Sequence, residues 1–180
     1  VVCLMRDYSM PGPTSNSFYR ICMVGGIVDI LAILVNYLLG ILPARGYFLP
    51  FYLSTPTIGT TYLAFSWGIR YSQNITAIIM AVNRLTAILY PFRFRTMWSD
   101  KICYAVHVVQ IVPGMIVGGA LYLSRYHYEE SGLGGYYVLF SDNGFKNGYY
   151  TMAGVISTVF IIYMLVNYSL VLVHFRKMKK

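Results

Sequence analysis

Four apolar runs, at residues 19–42, 57–90, 102–123 and 150–173, constrain this chain more than any other feature. Each is long enough to cross a hydrocarbon core about 30 Å thick, which takes about 20 helical residues. A segment in hydrocarbon must satisfy its own backbone N–H and C=O groups, so only helices and closed barrels span. These runs lack the period-two alternation of barrel strands. The chain is therefore expected to be all-α, a polytopic membrane helix bundle with one transmembrane domain over residues 1–180. Composition agrees: 57% hydrophobic and 11% charged is far from the usage of a soluble domain.

Basic residues set the orientation. Four crossings put both ends of the sequence on one side, together with the loop around Pro91. That side carries ten cations: Arg6, Arg20, Arg84, Arg93, Arg95, Lys101, Arg176, Lys177, Lys179 and Lys180. The other side carries three, Arg45, Arg125 and Lys146, and Arg70 lies inside a run. By the positive-inside rule both ends are cytoplasmic, with the plasma membrane as the expected location. The net charge of +8 then reflects topology, not a nucleic-acid surface.

The first five residues are apolar and stop at Arg6. They read as the end of an earlier span, with 6–18 as a cytoplasmic connection, so the sequence is expected to be part of a longer protein. Cys3, Cys22 and Cys103 fall near the cytoplasmic side, where an odd number of thiols in a reducing compartment argues against disulfides. Buried or interfacial thiols are expected, with S-palmitoylation of Cys3 or Cys103 as the alternative.

The connections on the other side differ. Residues 43–56 are short and rich in proline, with Tyr47, Phe48, Phe51 and Tyr52 suited to an interfacial aromatic belt. Residues 124–149 are long. There 136–140 is β-prone, and Ser141-Asp142-Asn143-Gly144 offers turn residues for a small hairpin. Such a loop is read either as a lid or as a solvated connector.

The second run holds most of the polar information. At 100° per residue Arg70, Gln73, Asn74, Ala77, Ala81 and Arg84 share a helix face, with Ile75, Ile79 and Val82 opposite. The polar stripe is expected to look into the bundle and the apolar side toward lipid or neighbours. Arg70, about 21 Å along the helix from Arg84, is placed to meet an acidic or carbonyl-bearing ligand, or else to snorkel or pair internally. Gln73 and Asn74 complete the candidate ligand contacts. Asp29 is the acid inside a predicted span, where a carboxylate must be paired, ion-bound or protonated. It is a candidate internal switch or cation site, or else a neutral structural Asp.

Other features read as packing. Gly114 and Gly118, with Gly119, form a small-xxx-small edge for close helix approach, and Pro113 is expected to kink that span. Two glycosylation sequons, at Asn74 and Asn167, lie inside spans, out of reach of the transferase. His107, His127 and His174 lack metal-ligand spacing, and no nucleophile, carboxylate pair or phosphate loop is evident. The chain is not expected to be an enzyme, nor to hold a cofactor or metal.

The stretch Asn83-Arg84-Leu85-Thr86-Ala87-Ile88-Leu89-Tyr90-Pro91 sets a fixed charge at the edge of hydrocarbon, followed by an aromatic-basic loop reaching Trp98. A guanidinium there is costly unless it reaches water or a polar partner. With Phe18-Tyr19-Arg20, Gly26-Ile27-Val28-Asp29-Ile30-Leu31 and Asn36-Tyr37, this stretch resembles spans two to five of a seven-helix G-protein-coupled receptor of rhodopsin-like fold. More narrowly it resembles the nematode serpentine chemoreceptors of class Srv, in the Srg superfamily. That resemblance implies a chemosensory receptor that binds a small external chemical and signals to a cytoplasmic heterotrimeric G protein, with Asn83, Arg84, Pro91, Arg93, Arg95 and Trp98 in coupling. Asn83 stands where an acid usually precedes the arginine. Only a neutral-to-charged hydrogen bond would then restrain Arg84. The outer disulfide and fifth-span proline usual in rhodopsin-like receptors have no counterpart here, which fits a divergent nematode class.

Two other readings compete. In a multi-span transporter, Asp29 and Arg70 would line a substrate path near the midplane. A four-span scaffold would require the sequence to be complete.

Overall fold

The structure is a computed structural model that describes residues 16–55, 57–122 and 124–178. The stretch 1–5 with Cys3, the connection through Arg6, and Lys179 and Lys180 lie outside the described residues. In chain order the elements are α1 (Asn16–Val35), a π-helical turn (Asn36–Ile41), α2 (Leu42–Ala44), α3 (Leu49–Ser54), α4 (Thr57–Leu89), α5 (Phe94–Met97), α6 (Asp100–Tyr122), β1 (Tyr126–Glu130), β2 (Tyr136–Phe140) and α7 (Asn143–Met178).

Among the described residues three helices are both long and apolar enough to cross a membrane: Ser17–Ala44, Asp100–Tyr122 and Asn143–His174. The 33-residue α4 has the length but not the same apolarity. Arg70, Gln73, Asn74, Asn83 and Arg84 are the reason.

Contacts divide the chain into two compact units. The first comprises 28–72 and 112–154. Its helix contact is a seam of small residues. A Cβ on Gly68 would lie 2.6 Å from the Gly114 carbonyl oxygen, one on Gly118 would lie 2.7 Å from that of Ala64, and one on Gly114 would collide with the Ser72 hydroxyl and the Gly68 carbonyl. Backbones this close are what small residues permit in lipid. Gly119 takes no part, since its Cβ would meet nothing within 4 Å. Helix α6 continues through Pro113.

Above that seam Leu63, Leu121, Phe140 and Tyr149 form a buried cluster, flanked by Tyr62, Trp67, Val117, Tyr126 and Val138. Trp67 meets Tyr149 edge-on, ring centroids 5.0 Å apart. The antiparallel hairpin contributes Phe140 and Tyr126 to this packing, so its strands are anchored in the core, not merely solvated. The expected strand at 136–140 is β2, but its partner is Tyr126–Glu130 and the chain reverses at 131–135. Ser141-Asp142-Asn143-Gly144 is therefore no hairpin turn. Asp142 Oδ1 accepts from the backbone N–H groups of Gly144 (2.8 Å) and Phe145 (3.2 Å), capping α7, which starts well before the expected residue 150. The same turn signal serves a helix start because Asp satisfies either.

The π turn frees backbone groups that the unit then satisfies. Tyr52 O–H donates to the Leu38 carbonyl at 2.5 Å, Asn36 Nδ2 to the Ala32 carbonyl at 2.8 Å, and Ser66 Oγ to Asn36 Oδ1 at 3.5 Å. Tyr52 is thus buried and does not join the expected aromatic belt, unlike Tyr47, Phe48 and Phe51, which are exposed.

The second unit comprises the described residues of 1–27, 73–111 and 155–180. Gly25 brings α1 against α4, where its Cβ would lie 2.8 Å from Thr76 Cγ2. Fully buried Gln110 of α6 ties three helices, its Nε2 donating to Thr76 Oγ1 (3.2 Å) and to the Ile21 carbonyl (3.4 Å). A carbonyl can only accept, which fixes the amide orientation and leaves Oε1 facing His107 Nδ1 at 2.8 Å. His107 therefore carries its proton on Nδ1 and is hydrogen-bonded but half-buried, not the core residue expected. Along α7 exposed Val159, Ile162, Leu165, Val166 and Leu172 present hydrocarbon to the surroundings.

Candidate functional site

The second unit places most of the Asn83–Trp98 motif at one end of α4. Pro91 disfavours helical geometry at Tyr90, and α4 ends at Leu89. A backbone turn, Arg93 N–H to the Tyr90 carbonyl at 3.0 Å, redirects the chain into α5. Asn83 points inward, 2% exposed, and its Nδ2 donates to Ser17 Oγ of α1 at 3.1 Å. Arg84 points outward with its guanidinium 5.0 Å from the centre of the Phe18 ring. The expected Asn83–Arg84 hydrogen bond is replaced by these contacts, because successive residues on a helix diverge by about 100° and do not face each other.

Trp98 closes the loop back onto α4. Its Nε1–H donates to Thr86 Oγ1 at 2.8 Å, and the Thr86 hydroxyl is itself 2.9 Å from the carbonyls of Val82 and Asn83. Cys103 Sγ lies 3.5 Å from the Trp98 carbonyl and is 2% exposed, so this thiol is packed away rather than presented for palmitoylation. Cys22 is half-buried, 3.6 Å from Met80 Sδ. Across from these, Arg20 of α1 forms an ion pair with Asp100 at the start of α6, 2.6 Å apart. Pro91, Phe92, Arg93 and Arg95 are exposed, Phe92 completely.

The sequence reading gave no contact role to five contributors, Ser17, Arg20, Thr86, Asp100 and Gln110, although Arg20 and Thr86 lie in the stretches that carry the resemblance. Gln110 and Thr86 left a signal, since a lone amide or hydroxyl in an apolar helix must find a partner. The contacts of Ser17, Arg20 and Asp100 left none, because they join positions distant in sequence.

The candidate ligand contacts Arg70, Gln73 and Asn74 follow one another at i, i+3 and i+4 along α4 and differ in burial. Asn74, with Ala77 and Ile78, lines a groove of about 360 Å³ whose other wall is Ser157, Phe160 and Tyr168 of α7. Gln73 is half-buried. Arg70 belongs to the other unit, exposed, its guanidinium 5.9 Å from the Trp67 ring centre. The packed side of α4 also differs from the expected one. Thr76, Asn83 and Ile79 are buried, so Ile79 meets packed neighbours, one of the two surroundings expected for its side, while Ala81 alone of the expected stripe is buried. The hydrogen-bonding partners on α1 and α6 draw in Thr76 and Asn83, which lie on the side away from the arginines. Asp29 lies on an exposed side of α1 beside exposed Ile30, Leu31 and Ile33, not in an interior position. Among the described residues no three His, Cys, Asp or Glu side chains converge as a metal would require.

Comparison with known proteins bears on what this geometry serves. The family profile described as "Serpentine type 7TM GPCR chemoreceptor Srv" matches residues 1–180. Serpentine receptor class V-1 of Caenorhabditis elegans is 26% identical over 156 residues, covering 83% of this chain and 49% of that protein. The chain thus spans about half the length of the curated relative it matches. The family is one of multi-pass chemoreceptors, not of enzymes. With apolar helices of spanning length, the clamped Asn-Arg motif and a match along its whole length, the chain belongs to the serpentine Srv family of seven-helix G-protein-coupled chemoreceptors.

Proposed function

We propose that this chain forms four consecutive transmembrane helices, over 19–42, 57–90, 102–123 and 150–173, of a plasma-membrane receptor that binds a small chemical from outside and signals to a heterotrimeric G protein inside. Both ends of the sequence face the cytoplasm, as the distribution of Lys and Arg favours. The observation carrying the proposal is the division of labour at adjacent Asn83 and Arg84. Asn83 is locked to Ser17, whereas Arg84, Pro91, Arg93 and Arg95 stay exposed beside it, and Trp98 pins their loop through Thr86. A fixed platform carrying unburied cations is what docking of a cytoplasmic partner requires.

Ligand binding acts by population shift. A chemical touching Arg70, Gln73 or Asn74 changes the balance between packings of α4 only by its difference in affinity for them. Asp29, a carboxylate among exposed aliphatic side chains, is in this reading a cation-binding or protonation switch once other helices cover that face. Replacing Arg84 with Ala in the full-length receptor is expected to reduce ligand-stimulated nucleotide exchange on the G protein while surface expression persists. Full signalling by that variant would remove Arg84 from the mechanism.

A further inference from the structure

In the unit holding the hairpin, a recess of about 490 Å³ opens where α6 ends and α7 begins, lined by Ala120, Ser124, Arg125, Ser141, Asp142 and Phe145. That volume lies in the range of small-molecule sites. Its charges are unequal in their engagements. Asp142 gives Oδ1 to the cap of α7, leaving Oδ2 toward other partners. Among the described residues the Arg125 guanidinium makes no hydrogen bond and no ion pair, although its backbone carbonyl is fixed by the Ser141 N–H at 3.0 Å. Ser124 donates its proton to the Leu121 carbonyl at 2.6 Å and so offers the recess only an acceptor. Ser141 Oγ is 3.3 Å from His127 Nδ1.

The recess therefore offers a planar five-donor cation on one part of its wall, and a carboxylate oxygen with a hydroxyl acceptor on another. Ala120 and the Phe145 ring supply apolar surface. A bare anion would meet Asp142 as well as Arg125, and a bare cation would meet Arg125. We propose that this recess binds a small zwitterion with an apolar body, an α-amino acid, its carboxylate on Arg125 and its ammonium on Asp142 and Ser124. Arg forks match carboxylates in two parallel hydrogen bonds, which orients the ligand as well as holding it. None of Arg70, Gln73 and Asn74 lines the recess, and the proposal rests on the receptor reading only in taking this end of the helices to face outside.

The test uses the full-length receptor in lipid nanodiscs, with L-phenylalanine and L-leucine as probes and binding read by saturation-transfer NMR and calorimetry. Saturable binding is expected. It should weaken on the order of tenfold or more for phenethylamine and for 3-phenylpropanoate, each lacking one charge, and for Arg125→Gln. Arg125→Lys should recover part of the loss, and Arg45→Gln should bind as the parent does. Ala120→Trp, which fills the recess without touching a charge, should abolish binding even if Arg125→Gln folds poorly. Absence of binding for both amino acids, or binding that survives Ala120→Trp, overturns the site. Nucleotide exchange measured in parallel separates the two readings, since binding without exchange counts against the receptor mechanism and leaves the site standing.

Discussion

Nε1 of Trp98 lies 2.8 Å from Oγ1 of Thr86, which ties the loop after α4 to the last turns of that helix. The hydroxyl serves twice, receiving the indole proton and lying 2.9 Å from the carbonyls of Val82 and Asn83. Thr86→Val keeps the shape and removes the acceptor. Since Trp98 is half-buried, water partly replaces the lost partner and the expected cost is about 1 kcal/mol. The chain has two tryptophans, Trp67 and Trp98, so in a Trp67→Phe background the emission of Trp98 should shift to the red on Thr86→Val. Unchanged emission and thermal stability would count against this tie.

The glycines of α6 yield a contrast within two adjacent positions. A Cβ at Gly118 would sit 2.7 Å from the Ala64 carbonyl oxygen, and backbone must move to admit it, whereas a Cβ at Gly119 meets open space. Gly118→Ala is expected to destabilise by about 1–3 kcal/mol through overpacking. Gly119→Ala should be neutral or stabilising by up to about 1 kcal/mol through helix propensity. Thermal unfolding of the two variants in the same detergent checks the pair, and equal midpoints would contradict the seam.

Gln110 is a buried amide whose removal takes one hydrogen bond from groups on two other helices. Gln110→Leu leaves Thr76 Oγ1, the Ile21 carbonyl and the His107 Nδ1–H without their shared partner. Interhelical hydrogen bonds in membranes average about 0.6 kcal/mol, so a loss of about 1–2 kcal/mol is expected for the two interhelical bonds together with the His107 contact within α6. Hydrogen exchange at the His107 ring, slow in the parent and fast in the variant, would report the same change locally.

The helices were legible because each apolar run exceeds the length a bilayer demands, and the glycine edge because only close backbone contact gives Gly114 and Gly118 a purpose. The hairpin turn was misplaced for a physical reason: Ser141-Asp142-Asn143-Gly144 suits a turn and a helix cap equally, and only the packing of Phe140 and Tyr149 decides between them. Of the candidate site, the Asn83–Trp98 stretch was readable as a unit since its residues are near in sequence. The inward face of α4 was not. Large polar side chains draw attention to Arg70 and Gln73, whereas small Thr76 and Asn83 also tie α4 to α6 and α1, through partners set by three-dimensional contact alone.

At the hairpin, burial pushes the Tyr128 phenol above its ordinary value near 10, with the neighbouring Tyr126 adding to the effect and a backbone hydrogen bond from Gly59 opposing it. A raised value means the folded state prefers the neutral phenol. The associated stability is whole below pH 10 and is lost as pH rises through the folded value. The hairpin end should therefore loosen first in strong alkali, and Tyr128→Phe, which gives up the 3.3 Å hydrogen bond to the Tyr52 carbonyl, should move that transition upward. Phenolate absorbance followed against Trp67 emission checks the order of events; a transition unmoved by Tyr128→Phe would assign the alkaline sensitivity elsewhere.

The Arg20–Asp100 pair looks strong at 2.6 Å, yet its surroundings decide its worth. The Asp100 side chain is 87% exposed, so water and salt screen the attraction and ordering both side chains offsets part of it. Asp100→Asn should change thermal stability by less than about 1 kcal/mol. Its expected effect is on switching instead. Arg20 and Asp100 join α1 to α6, as the Asn83–Ser17 contact joins α1 to α4, and in the receptor reading loosening one of the links that α1 makes to its neighbours shifts the balance of packings without unfolding any helix. Asp100→Asn in the full-length receptor should then raise ligand-independent nucleotide exchange, whereas the charge-swapped pair Arg20→Asp with Asp100→Arg should restore the parent level. Equal basal exchange in all three proteins would make the ion pair a surface ornament and leave Asn83–Ser17 as the restraint at that end.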